Sequence, residues 1–108
     1  MINEARRLAT TPTQRYDVAD ASHLPYESGA FELVTMNNVI PFFDELARVT
    51  APTRIVWGRQ DKIIPVECGT LYQQAIPGAD LVVLEQCGHA SHLEKPDEFV
   101  RVALDFLP

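Results

Sequence analysis

The sequence predicts a small layered α/β domain with a mostly parallel four-stranded sheet, and two observations carry that expectation. The stretches 53–58 (Thr-Arg-Ile-Val-Trp-Gly) and 80–85 (Asp-Leu-Val-Val-Leu-Glu) are short, almost unbroken apolar runs. A strand reads this way when a parallel sheet buries both of its faces. Each run is followed, after a loop, by apolar residues recurring at helical spacing. Strands alternating with helices of this length imply α/β layering. A third observation bears on function: Asp61 falls just past the first of these strands and His89 just past the second. In open parallel sheets the loops at the carboxyl ends of the strands form the functional edge.

The 108 residues fit one small domain, and a hydrophobic content of 46% with 22% charged residues is that of an ordinary globular protein. A formal charge of −6 excludes the basic face that a nucleic-acid groove needs. No apolar run reaches membrane-spanning length, and Asn3, Glu4, Arg6 and Arg7 break up any signal-peptide core. Two cysteines, Cys68 and Cys87, argue for a reduced, cytoplasmic setting rather than a disulfide framework.

In chain order, residues 1–13 read as a weakly ordered arm, since Thr10-Thr11-Pro12-Thr13 stops any helix begun at Glu4. A strand is expected over 14–19, a loop marked by Pro25 and Gly29 over 20–30, and a second strand over 31–36. Asn37-Asn38 then caps a helix over 39–49 that carries Phe42, Leu46 and Val49 on one stripe. Pro41 falls in its first turn, and Asp44 and Arg48 are spaced to pair on its outer side. Thr50-Ala51-Pro52 is a junction. After the strand at 53–58 and the loop at 61–65, a helix over 66–76 buries Cys68, Leu71, Tyr72, Ala75 and Ile76 until Pro77-Gly78 ends it. Pro96 opens the last helix, with Asp97 and Glu98 against the positive end of its dipole and Phe99, Ala103, Phe106 and Leu107 facing inward.

Residues 52–107 resemble the C-terminal part of the α/β-hydrolase family. The resemblance is carried by Pro52-Thr53-Arg54-Ile55-Val56-Trp57-Gly58, Asp61-Lys62-Ile63-Ile64-Pro65, Ile76-Pro77-Gly78-Ala79, Gly88-His89 and His92-Leu93-Glu94-Lys95-Pro96-Asp97-Glu98-Phe99. It implies that Asp61 is the acid of a catalytic triad and His89 its general base, with His92 at a non-catalytic position. Residues 14–50 look instead like the middle of a class I S-adenosylmethionine-dependent methyltransferase. Asp20-Ala21, Leu24-Pro25-Tyr26, Phe31-Glu32-Leu33-Val34 and Glu45-Leu46-Ala47-Arg48-Val49 carry that likeness, which implies a cofactor-facing place for Asp20 and Ala21. Neither a glycine-rich cofactor loop nor a Gly-x-Ser-x-Gly elbow is present. The expected organisation is therefore a methyltransferase-like segment (14–50) joined near Thr50-Ala51-Pro52 to a hydrolase-like segment (51–108), a chimera or a fragment. Strands taken from larger sheets leave apolar edges, so a homodimer that completes the sheet or swaps elements is expected.

The site expectation is a catalytic set of His89, Asp61 and Ser91, with weak hydrolysis of an activated small-molecule ester as the activity and no cofactor. In that reading Asp61 orients His89, and His89 takes a proton from water or a hydroxyl. Ser91 and Cys87 are the nearest nucleophiles along the chain, and Ser22 or Ser28 could approach from the first half; turn-forming roles for these hydroxyls compete with that reading. Two alternatives stand beside the hydrolase: a non-catalytic chimera that self-associates, and a zinc site built from Cys87, His89 and His92 with Asp61 or His23 as a fourth ligand. Cys68 reads as a core residue, Trp57 as packing, and His23 as a surface residue.

Overall fold

In a computed structural model of the chain, two five-residue strands, β1 (Arg54–Gly58) and β2 (Asp80–Leu84), pair in parallel. The register sets Arg54 opposite Asp80 and Gly58 opposite Leu84. The structure describes residues 13, 15, 17–19, 23–35 and 43–108, the side chains of residues 43 and 44 excepted. The chain divides into two units, residues 1–37 and 38–108.

The described residues of the second unit hold both strands and four helices: α1 (Phe43–Leu46), α2 (Glu67–Ala75), α3 (Ser91–Glu94) and α4 (Pro96–Phe106). Parallel strands need a crossover, and α2 supplies it, packing on both strands and against α1. Gly69 makes the close approach possible, because a Cβ there would come within 3.1 Å of the Trp57 ring and 3.2 Å of Leu81. Tyr72, one turn on, lays its ring 5.6 Å from that of Trp57. Ile76 leaves the helix in extended conformation, and Gly78 turns the chain toward β2 with φ of 73°. Among the described residues the buried apolar ones are Leu46, Ile76, Leu84 and Cys87, drawn from α1, the end of α2, and β2 with its following turn.

Arg54 ties the amino end of the sheet to α4. Its Nε and Nη2 donate to the Asp80 carboxylate at 2.9 and 2.7 Å. Nη1 donates to the Val102 carbonyl at 3.1 Å and to Asp105 at 3.4 Å. The guanidinium lies 5.0 Å over the Phe106 ring. With the Arg54 side chain 19% exposed, this fork-on-carboxylate geometry suits arginine and not lysine.

In the first unit Asp17 is the hub, accepting from the Tyr26 hydroxyl at 2.9 Å and pairing with Arg15 at 2.7 Å. The Tyr26 and Phe31 rings meet edge to face at 5.0 Å. Gly29, with φ of 78°, closes the turn in which Ala30 N–H donates to Glu27.

Several expectations change. The described residues hold a two-stranded sheet, and the described residues of 14–19 and 31–36 lie outside strands. Val18, Phe31, Leu33 and Val34 are all at least half exposed. The physical reason is that apolar alternation makes a strand only when a neighbour supplies the ladder, and among the described residues these stretches have none. The loop expected after Gly88 contains a helical turn, α3. Residues 1–12, Asn37-Asn38, Pro41, Phe42 and the Asp44 side chain, on which expectations were also placed, lie outside the described residues. Among the described residues no helix is long and apolar enough to cross a membrane.

Candidate functional site

The carboxyl ends of β1 and β2 are stitched together by backbone. Arg59 N–H donates to the Leu84 carbonyl at 2.9 Å, and Gln60 N–H donates to the Cys87 carbonyl at 2.8 Å. Cys87 N–H returns a bond to the Gln60 side-chain oxygen at 3.0 Å. Between these bonds Gly58 is buried, and a Cβ on it would collide with the Gly88 and Cys87 carbonyl oxygens. The turn after β2 is made by Gln86, a non-glycine residue at φ of 52°, in a region that costs L-residues roughly 1–2 kcal/mol. The two loops that follow the strands are thus forced into contact before any side chain is considered.

Those loops carry Asp61 and His89. Asp61 Oδ2 lies 2.9 Å from His89 Nδ1. The other oxygen, Oδ1, accepts the N–H groups of Ile63 and Ile64, both at 2.9 Å. This is an Asx-type turn, and it fixes the carboxylate independently of the histidine. Trp57 holds the same loop from beneath by donating its indole N–H to the Ile64 carbonyl at 3.1 Å. The Asp61 side chain is 4% exposed and that of His89 24%.

Burial by itself would raise the Asp61 pKa. The bonds from Ile64, His89 and Ile63 outweigh it, and the carboxyl sits below its ordinary value of 3.8. A carboxylate held ionised accepts from Nδ1–H, which leaves the lone pair of the neutral imidazole on Nε2. Among the described residues Nε2 has no hydrogen-bond partner, so the basic nitrogen is the uncommitted one.

The remaining candidates go elsewhere. Ser91 is buried at the start of α3, 8% exposed, and makes no hydrogen bond with the His89 ring. Cys87 is almost wholly buried, and burial, followed by the field of Glu94, raises its pKa, so it stays a thiol. Among the described residues no three His, Cys, Asp or Glu side chains gather to hold a metal, so Cys87, His89 and His92 are not brought together. Geometry explains this: Cys87 points into the core, His89 turns to Asp61, and His92 rides on α3 with its ring 6.1 Å from Phe99. His23 and Ser28 are exposed residues of the first unit, and Asp20, Ala21 and Ser22 lie outside the described residues.

Two residues near the pair were not singled out from the sequence. Gln60 bridges the loops, as above. Glu94 accepts Gly88 N–H at 2.8 Å on Oε2 and Ala90 N–H at 3.1 Å on Oε1, gripping the chain on either side of His89. An acid following a histidine loop carries no sequence signature for that grip. A shallow depression of about 580 Å³ on α4 is lined by Asp97, Val100, Arg101, Leu104 and Asp105, and neither Asp61 nor His89 lines it.

Residues 3–96 match the alpha/beta hydrolase fold family. The chain belongs to the α/β-hydrolase family. That match takes in residues 14–50 as well as the hydrolase-like half as far as residue 96. The chain is 42% identical over 66 residues to 2-hydroxy-6-oxononadienedioate/2-hydroxy-6-oxononatrienedioate hydrolase 2 of Pseudomonas putida, covering 61% of this chain and 23% of that protein. It is 28% identical over 82 residues to the monoacylglycerol lipase ABHD6 of Rattus norvegicus, covering 76% of this chain and 24% of the lipase. Among solved structures, an α/β hydrolase from the sediment metagenome of the Mar Chica lagoon superposes with a TM-score of 0.57 at 33% identity, over 59% of this chain and 29% of the other. A serine hydrolase involved in carbazole degradation superposes with a TM-score of 0.60 at 28% identity, over 63% of this chain and 26% of that enzyme. The α/β-hydrolase chain described here thus spans under a quarter of the length of these two curated relatives.

Proposed function

We propose that this α/β-hydrolase chain carries the acid–base pair of an ester-hydrolysing site, with His89 as general base and Asp61 as its orienting acid. The observation that carries the proposal is the 2.9 Å Nδ1–Oδ2 bond to a carboxylate whose other oxygen is already held by two backbone N–H groups. As a water or hydroxyl oxygen attacks the ester carbonyl, Nε2 takes its proton. The Asp61 carboxylate stabilises the imidazolium, and Nε2 then returns the proton to the departing alkoxide. Ser91, two residues along the chain, buried and not bonded to the ring, is the weaker candidate for the attacking oxygen; water is favoured. A small-molecule ester is the substrate class, a direction that the name of the matched monoacylglycerol lipase supports, whereas the 2-hydroxy-6-oxo-dienedioate of the other matched relative carries no ester bond. The test is turnover of a small aryl ester by the parent and by His89→Ala at matched folded fraction. Equal rates would remove the enzyme claim.

The family match across residues 14–50 supports a hydrolase origin for that stretch too, and we favour it over the methyltransferase-like reading. The zinc alternative has no gathered ligand set to support it among the described residues. Self-association remains the second reading. Among the described residues each strand has a single neighbour, and Ile63, Leu93, Val100 and Leu104 are more than half exposed. Four strands, the expected number, are reached when a second copy extends the sheet. A clean monomer by light scattering at micromolar concentration would sink that reading. Cys68 and Cys87 are both free, which suits a reducing cytoplasmic setting.

A further inference from the structure

We propose that Glu94 is a positioning residue for His89, an inference that rests on the hydrolase reading above. Its carboxylate spans the backbone around the base, one oxygen on Gly88 N–H at 2.8 Å and the other on Ala90 N–H at 3.1 Å. The residue between those two donors is His89. Glu94 is in turn fixed by the backbone, because its own N–H donates to the Ala90 carbonyl at 2.9 Å. Ala90 and Glu94 therefore exchange two bonds, and the single helical turn α3 becomes a rigid mount for the histidine loop. Charge-assisted bonds of this kind are roughly twice as strong as neutral ones.

Gly88 completes the device. A Cβ at that position would sit 3.0 Å from both Glu94 carboxylate oxygens, so any side chain there pushes on the grip. The adjacent cation is occupied elsewhere, since Lys95 pairs with Glu98 at 3.5 Å. Asp61 fixes where the imidazole Nδ1 must point, Gln60 fixes where the loop leaves the sheet, and Glu94 fixes the backbone from which the ring projects. A displacement of about 1 Å in a catalytic group can lower turnover on the order of 10²-fold. That is the effect expected of losing the grip.

The test reads the His89 ring directly. Long-range ¹⁵N–¹H spectra of the labelled 108-residue chain give the imidazole tautomer, and the parent is expected to carry its proton on Nδ1. In Glu94→Ala the ring should become a mixture of tautomers. The melting temperature should fall, because the half-buried Gly88 and Ala90 N–H groups lose their acceptor, while the amide spectrum outside residues 87–94 should stay that of the parent. Glu94→Gln, which keeps one acceptor oxygen, should fall between the two, and Gly88→Ala should reproduce the loss with Glu94 intact. Ester turnover in Glu94→Ala should fall on the order of 10²-fold in kcat with KM unchanged. A parent-like tautomer in Glu94→Ala, or in Gly88→Ala should Glu94→Ala not fold, overturns the proposal. The two readings fail separately. If the parent itself lacks the Nδ1 proton, the Asp61–His89 reading falls and takes this one with it. If His89→Ala slows hydrolysis and Glu94→Ala does not, only the positioning role is lost.

Discussion

Replacing Asp61 by alanine and by asparagine separates what its carboxylate does for the fold from what it does for His89. Alanine removes the acceptor for three donors, Ile63 N–H, Ile64 N–H and His89 Nδ1, each at 2.9 Å. Ile63 is 71% exposed, so water replaces its lost bond at little net change. Ile64 and His89 are half-buried, and an unsatisfied donor in such a place costs roughly 1–3 kcal/mol. Asp61→Ala should therefore lose about 3 kcal/mol. Asparagine keeps an oxygen for both backbone donors and gives up only the charged bond to the ring, a loss of about 1 kcal/mol. For a domain of this size the gap of about 2 kcal/mol separates the melting temperatures by roughly 8–16 °C. Trp57 is the sole tryptophan and bonds to the Ile64 carbonyl, so its fluorescence follows this loop during denaturant unfolding. Ester turnover should behave differently. An asparagine N–H facing the ring forces Nδ1 to accept and moves the proton to Nε2, so both variants should lose about 10²–10⁴-fold. Equal stability of the two variants, or parent-like turnover in Asp61→Asn, would refute the reasoning.

Acid titration gives a signed prediction. The Asp61 pKa is depressed in the folded state, so its contribution is complete above the ordinary value of 3.8 and is lost as pH falls through the lower folded value. The stability difference between parent and Asp61→Asn should accordingly shrink below about pH 4, as read by denaturant titrations at stepped pH. Arg54→Lys should lower the denaturation midpoint, because an ammonium cannot serve Asp80, the Val102 carbonyl and the Phe106 face together; a midpoint unchanged from the parent would count against that lock. Gly58→Ala should lose about 3 kcal/mol or beyond, since its Cβ would overlap the Cys87 and Gly88 carbonyls. The same change should part the Asp61 and His89 loops, visible as loss of the parent His89 ring signals.

What the sequence made legible was the part governed by local pattern. The apolar runs at 53–58 and 80–85 are strands at Arg54–Gly58 and Asp80–Leu84, and the periodic stretches at 66–76 and from Pro96 are helices at Glu67–Ala75 and Pro96–Phe106. Asp61 and His89 could be paired because each follows a strand, and neighbouring parallel strands bring their carboxyl ends together. The alternation at Val18 and at Phe31, Leu33 and Val34 misled for the complementary reason: a strand is a property of two chains in register, and a single run cannot report its partner. The four-residue helix α3 is too short to leave a period. The grips of Gln60 and Glu94 act on backbone N–H groups, whose positions only the folded chain defines. Gly58 is the instructive case, because its glycine is required by carbonyls some thirty residues further along the chain, a constraint with no local trace.

Chemical rescue tests the general-base assignment most directly. Small-ester hydrolysis is measured for the parent, for His89→Ala, and for His89→Ala with free imidazole added. The account predicts a fall of about 10²–10⁴-fold on losing the ring, partly restored by imidazole entering the space beside Asp61. A His89→Ala protein that turns over ester as fast as the parent would contradict it.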